Sequence, residues 1–192
     1  MDLEAFFEDQ LDEHVAVTQA VRSTLLAPFR RLVDACGTAV RAGGKIVLFG
    51  NGGSAADAQH LATELCVRYS VERAPIAALA LTTDTSALTA IGNDLGFALL
   101  FARQIEALCR PPDVCIGIST SGNSDNVIAG LVAARTQGCV AAGLTGRDGG
   151  RMVGLAEPLL IVPARSTARI QELHITLGHM LCLALEADLG LA

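Results

Sequence analysis

Tryptophan is absent from the 192-residue chain and aromatic residues make up only 4% of it, although 51% is hydrophobic. The core must therefore be built from Ala, Leu, Val and Ile, whose small side chains let elements approach closely. Lysine is nearly absent as well, Lys45 being the only one. Any phosphate bound here must be held without the lysine of a P-loop. The six cysteines (36, 66, 109, 115, 139 and 182) are scattered and form no C-x-x-C pair. That spacing argues against a cysteine zinc site and for free thiols in a reducing cytoplasm. No apolar run is as long as a membrane span, and the acidic start MDLEAFFEDQLDE lacks the basic region of a signal peptide. The expected location is cytoplasmic. A net charge of −6 and a pI of about 5.1 disfavour nucleic acid as a main ligand.

The length suits one domain with a substantial core. Residues 3–40 read as helix. Leu3, Phe6, Phe7, Leu11, Val15 and Val21 recur at helical spacing, and Pro28 is expected to start a second helix ending at Gly43-Gly44. Short apolar runs then alternate with helical patterns. The runs are KIVLFG (45–50), IAALAL (76–81), DVCIGI (113–118), CVAAGL (139–144) and PLLIVP (158–163). Helices are expected over about 54–68, 85–108, 123–137, 148–155 and 167–189. Such runs fit buried parallel strands joined by right-handed crossovers. The chain is read as a single α/β sandwich, residues 44–192, with a helical N-terminal extension over 1–43. Ligands of such a sheet bind beyond the carboxyl ends of the strands. GNGGS (50–54), TTDTS (82–86) and STSGNS (119–124) fall there.

Gly50-Asn51-Gly52-Gly53-Ser54-Ala55 fits the dinucleotide pattern G-x-G-x-x-G/A, with Asp84 at the end of the next strand as a ribose partner. About forty residues of helix before the first strand, and no length left for a substrate domain, count against that reading. STSGNS is more specific. Ser119, Thr120, Ser121 and Ser124 set four hydroxyls around Gly122 just before a helix. A helix N-terminus offers free N–H groups and a positive dipole end, so this stretch makes a phosphate cradle that needs no lysine. A simple N-cap explains one serine but not four.

His60 and Glu64, spaced i,i+4, share one face of the helix after the glycine turn. The spacing suits two metal ligands, or a base and its orienting partner. In RIQELHITLGHMLCLALE (169–186), Gln171, His174 and His179 interrupt an apolar pattern. His174 is expected to be a hydrogen-bonded core residue. Gln171 and His179 lie eight residues, or about 12 Å, apart along a helix. Either one of them is outside the site, or the site joins two chains. The stripe Leu173, Leu177, Leu181 and Leu185 is expected to pack against a second copy, setting His179 of one chain opposite His60 and Glu64 of another.

Taken together, GNGGSAADAQH with Glu64, TAIGND (89–94), PDVCIGISTSGNS (112–124), LTGRDGG (144–150) and RIQELHITLGH (169–179) resemble the phosphosugar-binding SIS family. Within it they are most similar to the members that isomerise heptose phosphates. The matches run in family order from about residue 41 onward, while the N-terminal helices match only in type. The resemblance implies a three-layer sandwich with a five-stranded parallel sheet, and a homotetramer with active sites at subunit interfaces. It implies one zinc ion per subunit, held by His60, Glu64, Gln171 and His179. It places a heptose phosphate against Asn51, Gly52, Gly53, Ser54, Glu64, Asn93, Asp94, Ser119, Thr120, Ser121, Ser124 and Gln171. Glu64 and His179 become the catalytic base and acid. The expected reaction is aldose–ketose isomerisation of sedoheptulose 7-phosphate, feeding nucleotide-activated heptose for surface glycan such as lipopolysaccharide core. Some members carry Asp where this chain has Ala168, so any contact from that side chain is absent here. A non-catalytic sugar-phosphate sensor on the same fold is the alternative. So is the initiator-associating relative, which keeps the glycine turn and RIQE but lacks the Glu64 and His179 equivalents.

Overall fold

A computed structural model describes residues 1–191. Five parallel strands form one sheet in the order β2-β1-β3-β4-β5. They are β1 Ile46–Gly50, β2 Ala78–Ala80, β3 Val114–Ser119, β4 Val140–Gly146 and β5 Leu159–Val162. Helices α1 (Leu3–Thr24) and α2 (Leu26–Arg41) precede the sheet, and α3 (Gly53–Cys66) follows β1. Then α4 (Thr85–Asp94) and α5 (Ala102–Leu108) follow β2, α6 (Asp125–Thr136) follows β3, and α7 (Thr167–Asp188) follows β5. Strands β1 and β3 are buried at every position, which is why they read as unbroken apolar runs. On one face of the sheet Leu32, Leu61, Leu65, Leu173 and Leu177 join α2, α3 and α7 in one core. On the other face Phe49, Ile105, Val127 and Leu131 join α5 and α6 in a second. The three-layer sandwich expected from the sequence is the observed fold. Strand order reverses between β1 and β3, and a crevice for ligands opens at such a switch point. The turns 50–54 and 119–124 begin at the ends of those two strands.

Two expected helices differ. The helix over 85–108 is interrupted by Gly96 at φ 91°, which leaves α4, a short 3-10 turn and α5. The helix over 148–155 is only a 3-10 turn, Gly150–Met152, because Gly149, Gly150 and Gly154 take positive φ, outside the α-helical range. Pro28 lies inside the first turn of α2 rather than opening it, where its missing N–H costs nothing.

The stripe Leu173, Leu177, Leu181 and Leu185 does not meet a second copy. All four side chains are at most 4% exposed inside this chain's own core, because α2 and α3 cover that face of α7. The uncovered apolar face belongs to α1, whose Leu3, Phe6, Phe7, Leu11 and Val15 are 48–66% exposed. At the end of the sheet opposite the turns, the Lys45 ammonium lies 2.5 Å from Asp113 Oδ2, and the Lys45 amide donates to Asp113 Oδ1 at 2.9 Å. All six cysteines are free thiols. Among the described residues no helix is long and apolar enough to cross a membrane.

His174 is fully buried and its Nε2 donates to the Thr145 carbonyl at 3.0 Å, while Nδ1 has no partner. Burial lowers its pKa from 6.5 to about 4, against the opposing pull of the Thr145 bond. Between those values the unfolded chain binds a proton that the folded chain refuses, so stability falls as pH drops through the window. The expected loss is roughly 3 kcal/mol by pH 4, from the usual conversion of a pKa shift. His174→Gln keeps an N–H for Thr145 and should lose much less. Denaturant midpoints measured from pH 7 to pH 4 check this, and parallel curves for the two proteins would refute it.

Candidate active site

The glycine turn is built for close approach. Gly52 adopts φ 56° and ψ −122°, a combination only glycine reaches without strain, and it opens α3 with no side-chain cap. A Cβ on Gly53 would stand 2.2 Å from Gln171 Nε2, so the Gln171 amide lies directly across the first turn of α3. Asn51 and Asn126 exchange two amide hydrogen bonds, each 2.8 Å. That pair occupies the Asn51 side chain, and what Asn51 offers a ligand is backbone. Ser54 is buried, 6% exposed. Asp84, the ribose candidate of a dinucleotide site, accepts from the Ala87 amide at 3.0 Å and caps α4.

The hydroxyl turn follows β3. Gly122 has φ 66°, and a Cβ there would meet the Gly149 carbonyl oxygen at 2.1 Å, so only glycine allows the turn to press against the loop after β4. Ser124 is the N-cap residue of α6, yet its hydroxyl makes no cap bond. It lies instead 3.1 Å from the Ser119 hydroxyl. Two hydroxyls therefore converge beside an uncapped helix N-terminus, the arrangement an anion needs. The Ser121 hydroxyl accepts from the Asn123 amide at 3.2 Å. Arg151 bonds Asp125 Oδ1 at 2.6 Å and donates to the Asn123 carbonyl, bracing the turn from outside. A cleft of about 890 Å³ opens beside it, with Ser121, Asn123, Arg147 and Arg165 in its wall.

The third element is the contact between α3 and α7. A Cβ on Gly178 would fall 2.5 Å from Leu61 Cδ1, so glycine lets the two helices touch there. His60 and His179 then face each other, with 2.8 Å between their Nε2 atoms, and Glu64 Oε1 lies 3.6 Å from His60 Nε2. One chain supplies all three side chains. This corrects the expectation that His179 meets the His60 and Glu64 of another copy. The two helices run side by side, with Gly53 beside Gln171 and His60 beside His179. Gln171 and His179 thus address successive stations along α3 from within one chain.

Asp57 stands between those stations. Burial raises its carboxyl above the usual range, while His60, a hydrogen bond from Gln171 and His179 pull the other way. Its Oδ2 has no hydrogen-bond partner. Helical spacing could have found it, since positions 57, 60 and 64 share a face. Spacing could not find Tyr69, whose ring stacks on His179 with 5.4 Å between centroids, or the Asn126 partner of Asn51. Asn93 and Asp94 stand exposed at the end of α4, bonded to each other at 2.7 Å and to none of the groups above.

As metal ligands, two imidazole nitrogens and a carboxylate are the donors zinc prefers. Two nitrogens on one tetrahedral zinc stand roughly 3.3 Å apart, from bonds near 2.0–2.1 Å. The imidazoles would have to part by about half an ångström to admit the ion. Among the described residues no three His, Cys, Asp or Glu side chains are already grouped around a common metal position. The fit is therefore one of donor type.

The model of the SIS domain family matches residues 10–146. The phosphoheptose isomerase of Paramagnetospirillum magneticum is 58% identical over 187 residues, 97% of each chain. That of Aquifex aeolicus is 58% identical over 156 residues, 80% of this chain and 82% of the relative. The structure of phosphoheptose isomerase GmhA from Neisseria gonorrhoeae superposes with a TM-score of 0.91 at 44% identity, covering 96% of this chain and 99% of that one.

Replacing Ser119 and Ser124 together by Ala should weaken sugar-phosphate binding about a hundredfold, since each removes a hydrogen bond to a charged group. A remote phosphate contributes mainly uniform binding, so KM should rise far more than kcat falls. Unchanged affinity by calorimetry would remove the hydroxyl turn from the site.

Proposed function

The chain belongs to the SIS domain family, and on that footing we propose that it is an aldose–ketose isomerase. The proposed reaction interconverts sedoheptulose 7-phosphate and D-glycero-D-manno-heptose 7-phosphate, and it is supported by relatives 58% identical to this chain that are named phosphoheptose isomerase. The observation that carries this reading is the meeting of His60, Glu64 and His179 in one chain. Together they supply a carboxylate and two imidazoles. A sugar-phosphate sensor needs the cradle but has no use for such a set.

The reaction moves a hydrogen between C1 and C2 through an enediol. Glu64 takes the C1 proton of the ketose and returns it to C2, which makes the aldose. His179 carries a proton between the two oxygens, donating to the carbonyl oxygen as it gains charge and recovering a proton from the other. The uncapped N-terminus of α6 and the Ser119 and Ser124 hydroxyls hold the phosphate. The exposed Gly52 and Gly53 let backbone approach the sugar. His60, Glu64 and His179 are the proposed zinc ligands, one ion per subunit, while Gln171, the fourth ligand the resemblance implies, crosses α3 at Gly53 instead. When bound, zinc polarises the carbonyl as a Lewis acid.

The proposed assembly is a homotetramer with sites at subunit interfaces. It is supported by the uncovered apolar face of α1, a patch that soluble proteins seldom leave bare. Asn93 and Asp94, exposed and unattached to the histidine pair, are the residues a neighbouring chain would bring into use. The proposed setting is the cytoplasm, in the supply of heptose for surface glycans.

The direct test is incubation with sedoheptulose 7-phosphate, with and without a chelator, followed by sugar analysis. Aldoheptose should form and should fall when the metal is removed. No aldoheptose from metal-replete protein ends the reading. Glu64→Gln keeps the shape but loses the base and should lower kcat about a hundredfold or more, and near-normal turnover would dismiss Glu64 as base. Because Glu64 and His179 serve the same site from one chain, mixing Glu64→Gln subunits with His179→Ala subunits should restore no activity. Recovery after subunit exchange, followed by native mass spectrometry, would show that the two residues meet across chains instead.

A further inference from the structure

Behind the histidine pair lies an ion pair that the reaction does not use. Arg73, in the loop after α3, and Glu186, near the end of α7, sit 2.9 Å apart with side chains 1% and 0% exposed. Taking two charges out of water costs several kcal/mol each, and apolar residues of similar size often do as well for stability. A pair kept in such a place calls for a positional explanation, and its hydrogen bonds supply one.

Arg73 donates to the Glu64 carbonyl at 2.9 Å and to the Leu65 carbonyl at 2.7 Å. These are last-turn carbonyls of α3, which lack helical partners and carry the negative end of the helix dipole. Glu186 accepts from the Tyr69 amide at 3.0 Å, the Ser70 amide at 3.2 Å and the Ser70 hydroxyl at 2.8 Å. Burial alone would raise the Glu186 carboxyl, and these donors with Arg73 outweigh it and hold it below the ordinary range. Glu186 is seven residues beyond His179, on the same face of α7 and about 10 Å farther along. The pair therefore ties three things together: the end of α3 that carries Glu64, the helix that carries His179, and the loop that carries Tyr69. The His179 ring is held between two others, with 5.0 Å to the His60 centroid and 5.4 Å to the Tyr69 centroid.

We propose that Arg73 and Glu186 are a positioning pair that holds Tyr69 against the His179 imidazole and sets the spacing of His179 and Glu64. The role in turnover rests on the isomerase reading above, while the hold on Tyr69 does not. Misplacing a reacting group by an ångström can cost a hundredfold in rate, so the buried pair, itself out of reach of substrate, acts on kcat through Glu64 and His179.

The chain has one tyrosine and no tryptophan, so tyrosine fluorescence reports Tyr69 alone. The double variant Arg73→Met/Glu186→Leu removes both charges and leaves neither ion stranded. Acrylamide quenching of Tyr69 should rise about twofold or more in it. With folding verified by circular dichroism, kcat should fall about tenfold or more while KM stays within about twofold, the signature of lost transition-state geometry. Tyr69→Leu should lose kcat similarly, and Tyr69→Phe, which keeps the ring, should restore it. Unchanged quenching in the folded double variant overturns the hold on Tyr69, and wild-type kcat in Tyr69→Leu overturns its role. If the double variant fails to fold, the Tyr69→Leu and Tyr69→Phe comparison decides. If the wild-type protein isomerises no heptose phosphate, the function reading falls, and quenching still decides whether the pair holds the ring.

Discussion

Everything the site does depends on how closely α7 lies on α3. Two glycines permit it. Gly178 lets the helices meet at Leu61, and Gly53 lets the Gln171 amide cross the start of α3. A methyl group at Gly178 would press on the buried Leu61 side chain and strain the 2.8 Å contact of His60 and His179, while one at Gly53 would displace the Gln171 amide. The composition makes the same point at larger scale. A core of Ala, Val, Leu and Ile without tryptophan packs layers closely, with little space for side chains to adjust when one helix shifts. The groups proposed to move protons are thus fixed by apolar contacts that themselves have no chemistry.

Much of this was legible in the sequence. The period-free apolar runs became the strands, because parallel strands buried on both faces have no reason to alternate. The crowding of Ser119, Thr120, Ser121 and Ser124 pointed to an anion cradle, and the structure adds that the Ser124 hydroxyl leaves its helix uncapped and lies beside that of Ser119. His60 and Glu64 were found by spacing because both lie on one helix. What failed was the step from one helix to two. The eight-residue interval between Gln171 and His179 rules out a shared position on a straight helix. It says nothing of a second helix running alongside, on which the two can address successive turns. The leucine stripe misled for a related reason, since an apolar face shows that it needs cover and not which chain provides it. Tyr69, Arg73 and Asn126 act through contacts between segments distant in sequence, and no periodicity records those.

The two halves of the site follow different logics. The proposed phosphate end offers neutral hydroxyls and backbone amides at the open end of a helix, in a chain of net charge −6. Arg147 and Arg165 stand in the cleft wall beside it, so positional geometry and local positive charge act together there. At the other end, polar side chains on α3 and α7 stand only partly buried. Protons can reach that end and a sugar can enter it.

The scarcity of lysine has a chemical consequence. The proposed product is an aldose, whose open-chain aldehyde condenses with unprotonated primary amines to give an imine and, in time, a glycated side chain. This protein has a single lysine. Its ammonium is tied to Asp113 at 2.5 Å, at the opposite end of the sheet from the ligand turns. Held in that ion pair, the lysine side chain is turned away from the path of the sugar. The protein can therefore release a reactive aldehyde past walls that carry arginine and hydroxyl groups but no lysine amine for it to modify.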